Sequence, residues 1–310
     1  MSKEVAALPE PEPGVYEVHV FGPEEDGSPE VLFEIPHGAT EIEHFEAVKG
    51  RLQSDLPAGL EGFFHINTDI GAPEVAERTA ELLAARGIRS VLLRSLVPRT
   101  FIDCNRALDQ AGGGAVTPAL PGYIDPGADQ ELLVDLHRRY TRAAKAAYAK
   151  VCDVAGGLAV TLHTYAPRSI ALTRVEHSIV EDLRAAYAPG VYATWPQRPE
   201  VDLITRTADD RFLASEGLVR EVRQRLEGAG YQVLENSTYR LFHVTMGYWH
   251  SAARPGRVLC LEMRRDLLAE AFLPFEPMVM DPEKVERLAG PLAEALATAA
   301  RPTHRGEPLA

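Results

Sequence analysis

Hydrophobic positions along this chain follow two rhythms. Gly157 to Thr164, Gly-Leu-Ala-Val-Thr-Leu-His-Thr, is an apolar run entered through a double glycine and left through Tyr165-Ala166-Pro167. An uninterrupted run of this length between turn residues predicts a buried central strand, and it delivers His163 to the strand's carboxyl end. Ile88–Arg94, Val201–Thr205, Tyr231–Leu234 and Val258–Met263 read as further strands. Val15–Phe21 alternates apolar and polar as a half-buried strand does, and with Val31–Ile35 across the turn cluster from Gly22 to Pro29 it predicts a hairpin. Phe63–Ile66 reads as a short strand, and Phe101–Asp103 as a strand end or tight extended segment.

The second rhythm is helical. Ile42, Phe45, Val48, Leu52 and Leu56 form one stripe, predicting a helix from Glu41 to Leu56. Another helix opens at Ala72-Pro73-Glu74, with proline in its first turn, and stops at Gly87. Asp129–Cys152, Val180–Tyr187, Arg211–Glu227 and Pro282–Ala299 complete the set, with a polar and aromatic connection between Leu234 and Val258. The glycine- and proline-rich stretch from Ala111 to Gly127 is a long loop, of a length usually functional or disordered.

Strand and helix alternate without a linker or internal repeat. The expectation is one three-layer α/β domain over residues 15–300, its mixed, mostly parallel sheet covered by helices on both faces. A proline- and glutamate-rich tail, 1–14, expected to be disordered, precedes it and a short tail, 301–310, follows.

Composition narrows the function. A formal net charge of −13 argues against general binding to nucleic acid or anionic membrane, while leaving room for a local basic pocket for a small anion. Three cysteines, Cys104, Cys152 and Cys260, have neither paired nor metal-type spacing and suit a reducing cytoplasm as small buried hydrophobes. No apolar run is long enough for a membrane span, and residues 1–14 lack the apolar segment of a signal peptide, so the expected location is cytoplasmic.

Candidate chemistry gathers where strands end. His37 follows Pro36, Asp69 follows Thr68, His163 follows Leu162, and Glu262 interrupts the apolar run Leu261-Glu262-Met263. Two histidines and a carboxylate leave a tetrahedral zinc ion one open position, which a hydrolytic site needs. A separate carboxylate, Glu262, suits proton transfer. Each residue has a plainer reading: Asp69 as a helix N-cap, Glu262 paired with Arg264, His37 as a turn residue. Glu41 is a rival ligand close to His37, although a first-turn acid explains it. Asp103-Cys104-Asn105-Arg106, with Arg94 and Arg99 upstream, is the best candidate anion pocket, because a guanidinium fork matches a carboxylate. Its alternative is an ion pair between Asp103 and Arg106.

Pro36-His37-Gly38, Thr68-Asp69, Ile102 to Arg106, Leu162-His163-Thr164 and Leu261-Glu262-Met263, in that order, make residues 31 to 268 resemble the N-formylglutamate amidohydrolase family. The resemblance implies a zinc carboxypeptidase-like fold, one zinc ion held by His37, Asp69 and His163, and Glu262 as general base and then acid. It also implies that Arg106 with Asn105 holds a substrate carboxylate. Arg99, Tyr239 and Arg264 are added as substrate-binding candidates. Two departures stand out: Gly38 follows His37 directly, and Leu241 and Phe242 occupy positions where the family carries a glycine pair, narrowing or reshaping the pocket. The expected activity is hydrolysis of the amide of an N-formyl or N-acyl amino acid, a small carboxylate-bearing substrate. A carboxypeptidase-like peptidase and a non-catalytic carboxylate-binding protein are the alternatives.

Overall fold

The computed structural model describes residues 7–23, 29–108, 117–170, 172 and 174–300. The expected tail 301–310, residues 1–6, most of the turn cluster and residues 111–116 of the long loop lie outside the described residues.

Seven strands form a single mixed sheet among the described residues: β1 (Tyr16–Phe21), β2 (Val31–Ile35), β3 (Ser90–Ser95), β4 (Leu158–Tyr165), β5 (Val201–Ile204), β6 (Val233–Glu235) and β7 (Val258–Arg264), in the order β1-β3-β2-β4-β7-β5-β6. The four central strands β3, β2, β4 and β7 are mutually parallel. β1 runs antiparallel against β3, and β5 antiparallel against β7, with β6 parallel to β5. This meets the expectation of a single α/β domain with a mixed, mostly parallel sheet.

The expected hairpin does not form. All five residues of β2 are buried, so it needs a neighbour along both edges, and β3 and β4 supply them. The half-exposed β1 is displaced to the outer edge. Leu8 packs against the core and Glu12 pairs with Arg139, so the chain is engaged ahead of residue 15.

Helices cover both faces. On one lie α3 (Ala72–Ala84), α7 (Glu216–Gly228) and α9 (Pro282–Ala300), closing over Val31, Phe33, Val160, Leu162 and Leu261. On the other lie α1 (Ile42–Lys49), α2 (Leu60–Asn67), α4 (Ala128–Cys152) and α5 (Ile179–Ala186), over Leu32, Val91, Leu93 and Ala159. Two further helices, the four-residue α6 (Pro189–Tyr192) and α8 (Met246–Ala253), lie in connections.

Several boundaries differ from the sequence reading. Phe63–Ile66 is helical, within α2, because Leu60, Phe63 and Phe64 at i, i+3 and i+4 bury one helical face that four apolar letters do not distinguish from a strand. α1 stops at Lys49 against Gly50, short of Leu56. Phe101 and Ile102 are buried in an irregular turn and form no strand. α7 begins five residues later than Arg211, where Ser215 accepts from the Leu218 amide, and the aromatic connection holds α8, capped likewise by Thr245.

Candidate active site

Parallel strands place their carboxyl ends along one edge of the sheet, where an open α/β fold presents its ligand crevice. β2 leads into Pro36-His37-Gly38, and β4 and β7 lie side by side with His163 opposite Glu262. The turn after β2 is tight: a Cβ on Gly38 would stand 2.5 Å from the Arg94 side chain, whose Nε donates to the Gly38 carbonyl at 2.6 Å. α2 is capped by Thr68, whose hydroxyl donates to the carbonyls of His37 and Ala39 and so fixes Asp69 beside His37.

His37, Asp69 and His163 meet here, all buried. Asp69 Oδ2 lies 3.1 Å from His37 Nδ1 and 2.8 Å from His163 Nδ1. One candidate ligand atom from each residue falls within 4.8 Å of the other two. Two imidazoles and a carboxylate with converging donors are a catalytic zinc donor set. The other nitrogen of His37, Nε2, lies 2.7 Å from Asp103 Oδ1, the carboxylate support that ligating histidines commonly have. The residues therefore fit a divalent metal ion. Glu41 is not among them; it is exposed at the start of α1 and ion-paired with Arg94.

Electrostatics separates the two acids nearest the cluster. Burial works to raise the pKa of Asp69, but the charge on His37 and hydrogen bonds from both histidines outweigh it and hold the carboxyl well below the ordinary range. Glu262 goes the other way. Burial raises its pKa against the pull of His163, and the Asp69 charge raises it further. Glu262 lines the cavity and accepts no side-chain hydrogen bond among the described residues. Its proposed partner, Arg264, is engaged elsewhere: Nε and Nη2 grip Asp266 at 3.0 and 2.6 Å.

The cavity above this cluster has a volume of about 480 Å³. Of the expected substrate-binding residues, Asn105, Arg106, Arg99 and Tyr239 line it; Arg264 does not, because β7 ends there and its guanidinium turns to Asp266. Arg94 is also outside the pocket, held on Gly38, Thr40 and Glu17. Arg106 donates to the Thr117 and Asn105 carbonyls and stands 3.6 Å from Asp103, so the ion pair considered from sequence exists within the pocket wall. Asn105 Oδ1 accepts from the Gly247 amide at the start of α8. Leu241 and Phe242 both line the cavity.

Three groups were not legible from the sequence in these places. Asp103 accepts from Arg99 and the Asn105 amide besides holding His37; burial works to raise its pKa, but the charges of Arg106 and Arg99 and the contact with His37 outweigh it and hold the carboxyl well below the ordinary range. Arg198 is held between Tyr165 and Tyr239, donates to the Tyr239 hydroxyl at 3.1 Å and has no carboxylate partner among the described residues. Arg265 is buried, donates to the Ile66 and Thr164 carbonyls and reaches to 3.9 Å from Asp69. Only Asp103 had a signal, its place in the run Ile102 to Arg106.

A family model described as N-formylglutamate amidohydrolase matches residues 29–269. No curated protein sequence matches this one. The chain is similar to the crystal structure of an N-formylglutamate amidohydrolase from Ralstonia eutropha, at 20% identity over 91% of this chain and 96% of that one, with a TM-score of 0.49. It is also similar to a gene product of Agrobacterium tumefaciens, at 18% identity, 92% and 94% coverage and a TM-score of 0.50. The second of these likenesses supports the fold, and neither transfers an activity.

Proposed function

This chain belongs to the N-formylglutamate amidohydrolase family, and on that premise we propose that it is a metal-dependent amidohydrolase acting on a small N-formyl or N-acyl amino acid. One observation carries the reading: an unpartnered glutamate, Glu262, opens into a cavity beside two histidines and an aspartate arranged as metal ligands. His37, Asp69 and His163 would hold the ion, zinc by the donor set. When bound, the metal supplies Lewis-acid polarisation of the amide carbonyl and lowers the pKa of a water molecule.

The chain's own groups do the rest. Glu262 takes the proton of the attacking water and returns it to the leaving amine nitrogen, and its raised pKa suits both halves of that transfer. Arg106, with Asn105 beside it, binds the substrate carboxylate and sets the amide over Glu262. Arg99 and Tyr239 shape the same end of the pocket. Asp103 holds the His37 ring so that Nδ1 faces Asp69. Buried free cysteines fit a reducing, cytoplasmic location; no helix among the described residues is long and apolar enough to cross a membrane.

Metal analysis of the purified protein, paired with turnover of N-formyl amino acids, tests this. Stoichiometric zinc that is lost with activity in His163→Ala is the expected result. A protein without divalent metal whose activity survives His163→Ala would sink the reading, and preferential turnover of dipeptides would move it to the peptidase class.

A further inference from the structure

The cavity is far larger than a formyl group requires, and its two ends differ in chemistry. Arg106, Asn105, Arg99 and Tyr239 make one end polar and cationic. At the other, Phe63 and Ile66 of α2 face Ile179 and Leu183 of α5, with Tyr187 just beyond the helix. Tyr187 stacks on Tyr192 and meets Phe275 edge-on, and Phe275 is held against α2 at Gly62, where a Cβ would stand 3.2 Å from its ring. The apolar wall of Phe63, Ile66, Ile179, Leu183 and Tyr187 is thus backed by packed aromatic rings, on which the guanidinium groups of Arg168 and Arg184 lie.

A chain of contacts puts the candidate metal site between these ends. The Ile66 carbonyl accepts from Arg265, Arg265 reaches Asp69, Asp69 contacts His37, His37 contacts Asp103, and Asp103 pairs with Arg106. A substrate anchored by its carboxylate at Arg106, with its amide at the cluster, extends its acyl group towards α2 and α5. Of the other arginines lining the cavity, Arg265 is occupied by the Ile66 and Thr164 carbonyls and the Thr164 hydroxyl, Arg168 donates to the Trp195 carbonyl, Arg240 pairs with Asp210, and Arg198 lies between Tyr165 and Tyr239 and donates to the Tyr239 hydroxyl, at the polar end. Leu241 and Phe242 also line the cavity, and the Phe242 carbonyl accepts from Thr245, the residue bridged to Arg106, so these bulky side chains take up room towards the carboxylate end.

Resting on the amidohydrolase reading, we propose that the enzyme prefers amino acids carrying a large apolar acyl group, six carbons or an aromatic ring, over formyl. The hydrolysis itself is unchanged: water adds to the acyl carbon, the C–N bond breaks, and a carboxylate and a free amino acid leave.

The test compares N-formyl-, N-acetyl-, N-hexanoyl- and N-benzoylglutamate as substrates of the zinc-loaded enzyme, and measures their binding to zinc-loaded Glu262→Gln by calorimetry. Each methylene buried gains roughly fourfold by area, so even partial burial predicts a kcat/KM and an affinity at least ~10-fold higher for hexanoyl than for formyl. Ile66→Asp, read as the hexanoyl-to-formyl ratio within one folded protein, should cut that preference at least ~5-fold. Equal or better use of the formyl compound overturns the inference and leaves the amidohydrolase reading standing. Tight hexanoyl binding with no turnover of any member supports the apolar site and sinks the amidohydrolase reading, and absence of both binding and turnover sinks both.

Discussion

Two imidazole nitrogens share one carboxylate oxygen at 3.1 and 2.8 Å, and a second carboxylate holds the far side of one ring. Division of labour among these acids makes their substitutions separable. Glu262→Gln should lower kcat by about 10²–10⁴-fold while zinc content stays stoichiometric, measured by steady-state kinetics alongside metal analysis. Asp103→Asn should do the reverse, weakening zinc affinity by roughly 10–100-fold in a chelator competition, because His37 loses the group that fixes its orientation. Both glutamate and histidines were legible as strand-end polar residues because each interrupts or terminates an apolar run. Asp103 was visible only as a partner for Arg106: its contact with His37 depends on a loop that turns back from β3, and no local spacing encodes that. Arg264 and Arg265 show the same limit. One residue's difference at the end of β7 sends the first guanidinium to Asp266 and the second to the carbonyls beneath the site.

At the scale of elements, long regular segments announced themselves and short ones did not. β4 and α4 were readable because their apolar patterns run for many residues. α2 was not, since an eight-residue helix packed on one face offers too little periodicity to separate it from a strand. The pairing of β1 depends on which strand edge is left free, a property of the whole sheet. The junction from α4 into β4 is a point of particular demand. A Cβ on Gly157 would stand 1.8 Å from the Val151 carbonyl oxygen, so the backbone must shift to admit any side chain. Gly157→Ala should therefore destabilise the protein by about 2–4 kcal/mol in urea unfolding, despite adding a single methyl group.

The whole molecule carries a pH dependence remote from the cavity. His250 of α8 is buried, stacked on Tyr148 with ring centroids 3.8 Å apart, and its Nε2 has no hydrogen-bond partner among the described residues. Burial lowers its pKa from 6.5 to about 4, reinforced by Arg254 and Lys145 and opposed by Glu34. The unfolded chain takes up this proton below about 6.5 while the folded one stays neutral, so stability is full above that value and falls as pH drops towards about 4. The loss is on the order of 3 kcal/mol across the window. Urea midpoints at pH 7 and pH 4.5 should differ less in His250→Phe, which keeps the stacking and removes the titration. Chelation should also lower Tm, with zinc restoring it, because an ion that binds only the folded cluster stabilises it by about 4 kcal/mol at a free concentration of 1,000 Kd.

The strand order has a bearing on synthesis. β7 lies between β4 and β5, so the segments Val201–Ile204 and Val233–Glu235 leave the ribosome before the strand that joins them to the sheet exists. His37, Asp69 and His163 all belong to the block made first, whereas Glu262 arrives on the closing strand. On the proposed function, the three candidate ligands are therefore made ahead of the glutamate, and hydrolysis waits for β7 to enter the gap and complete the sheet.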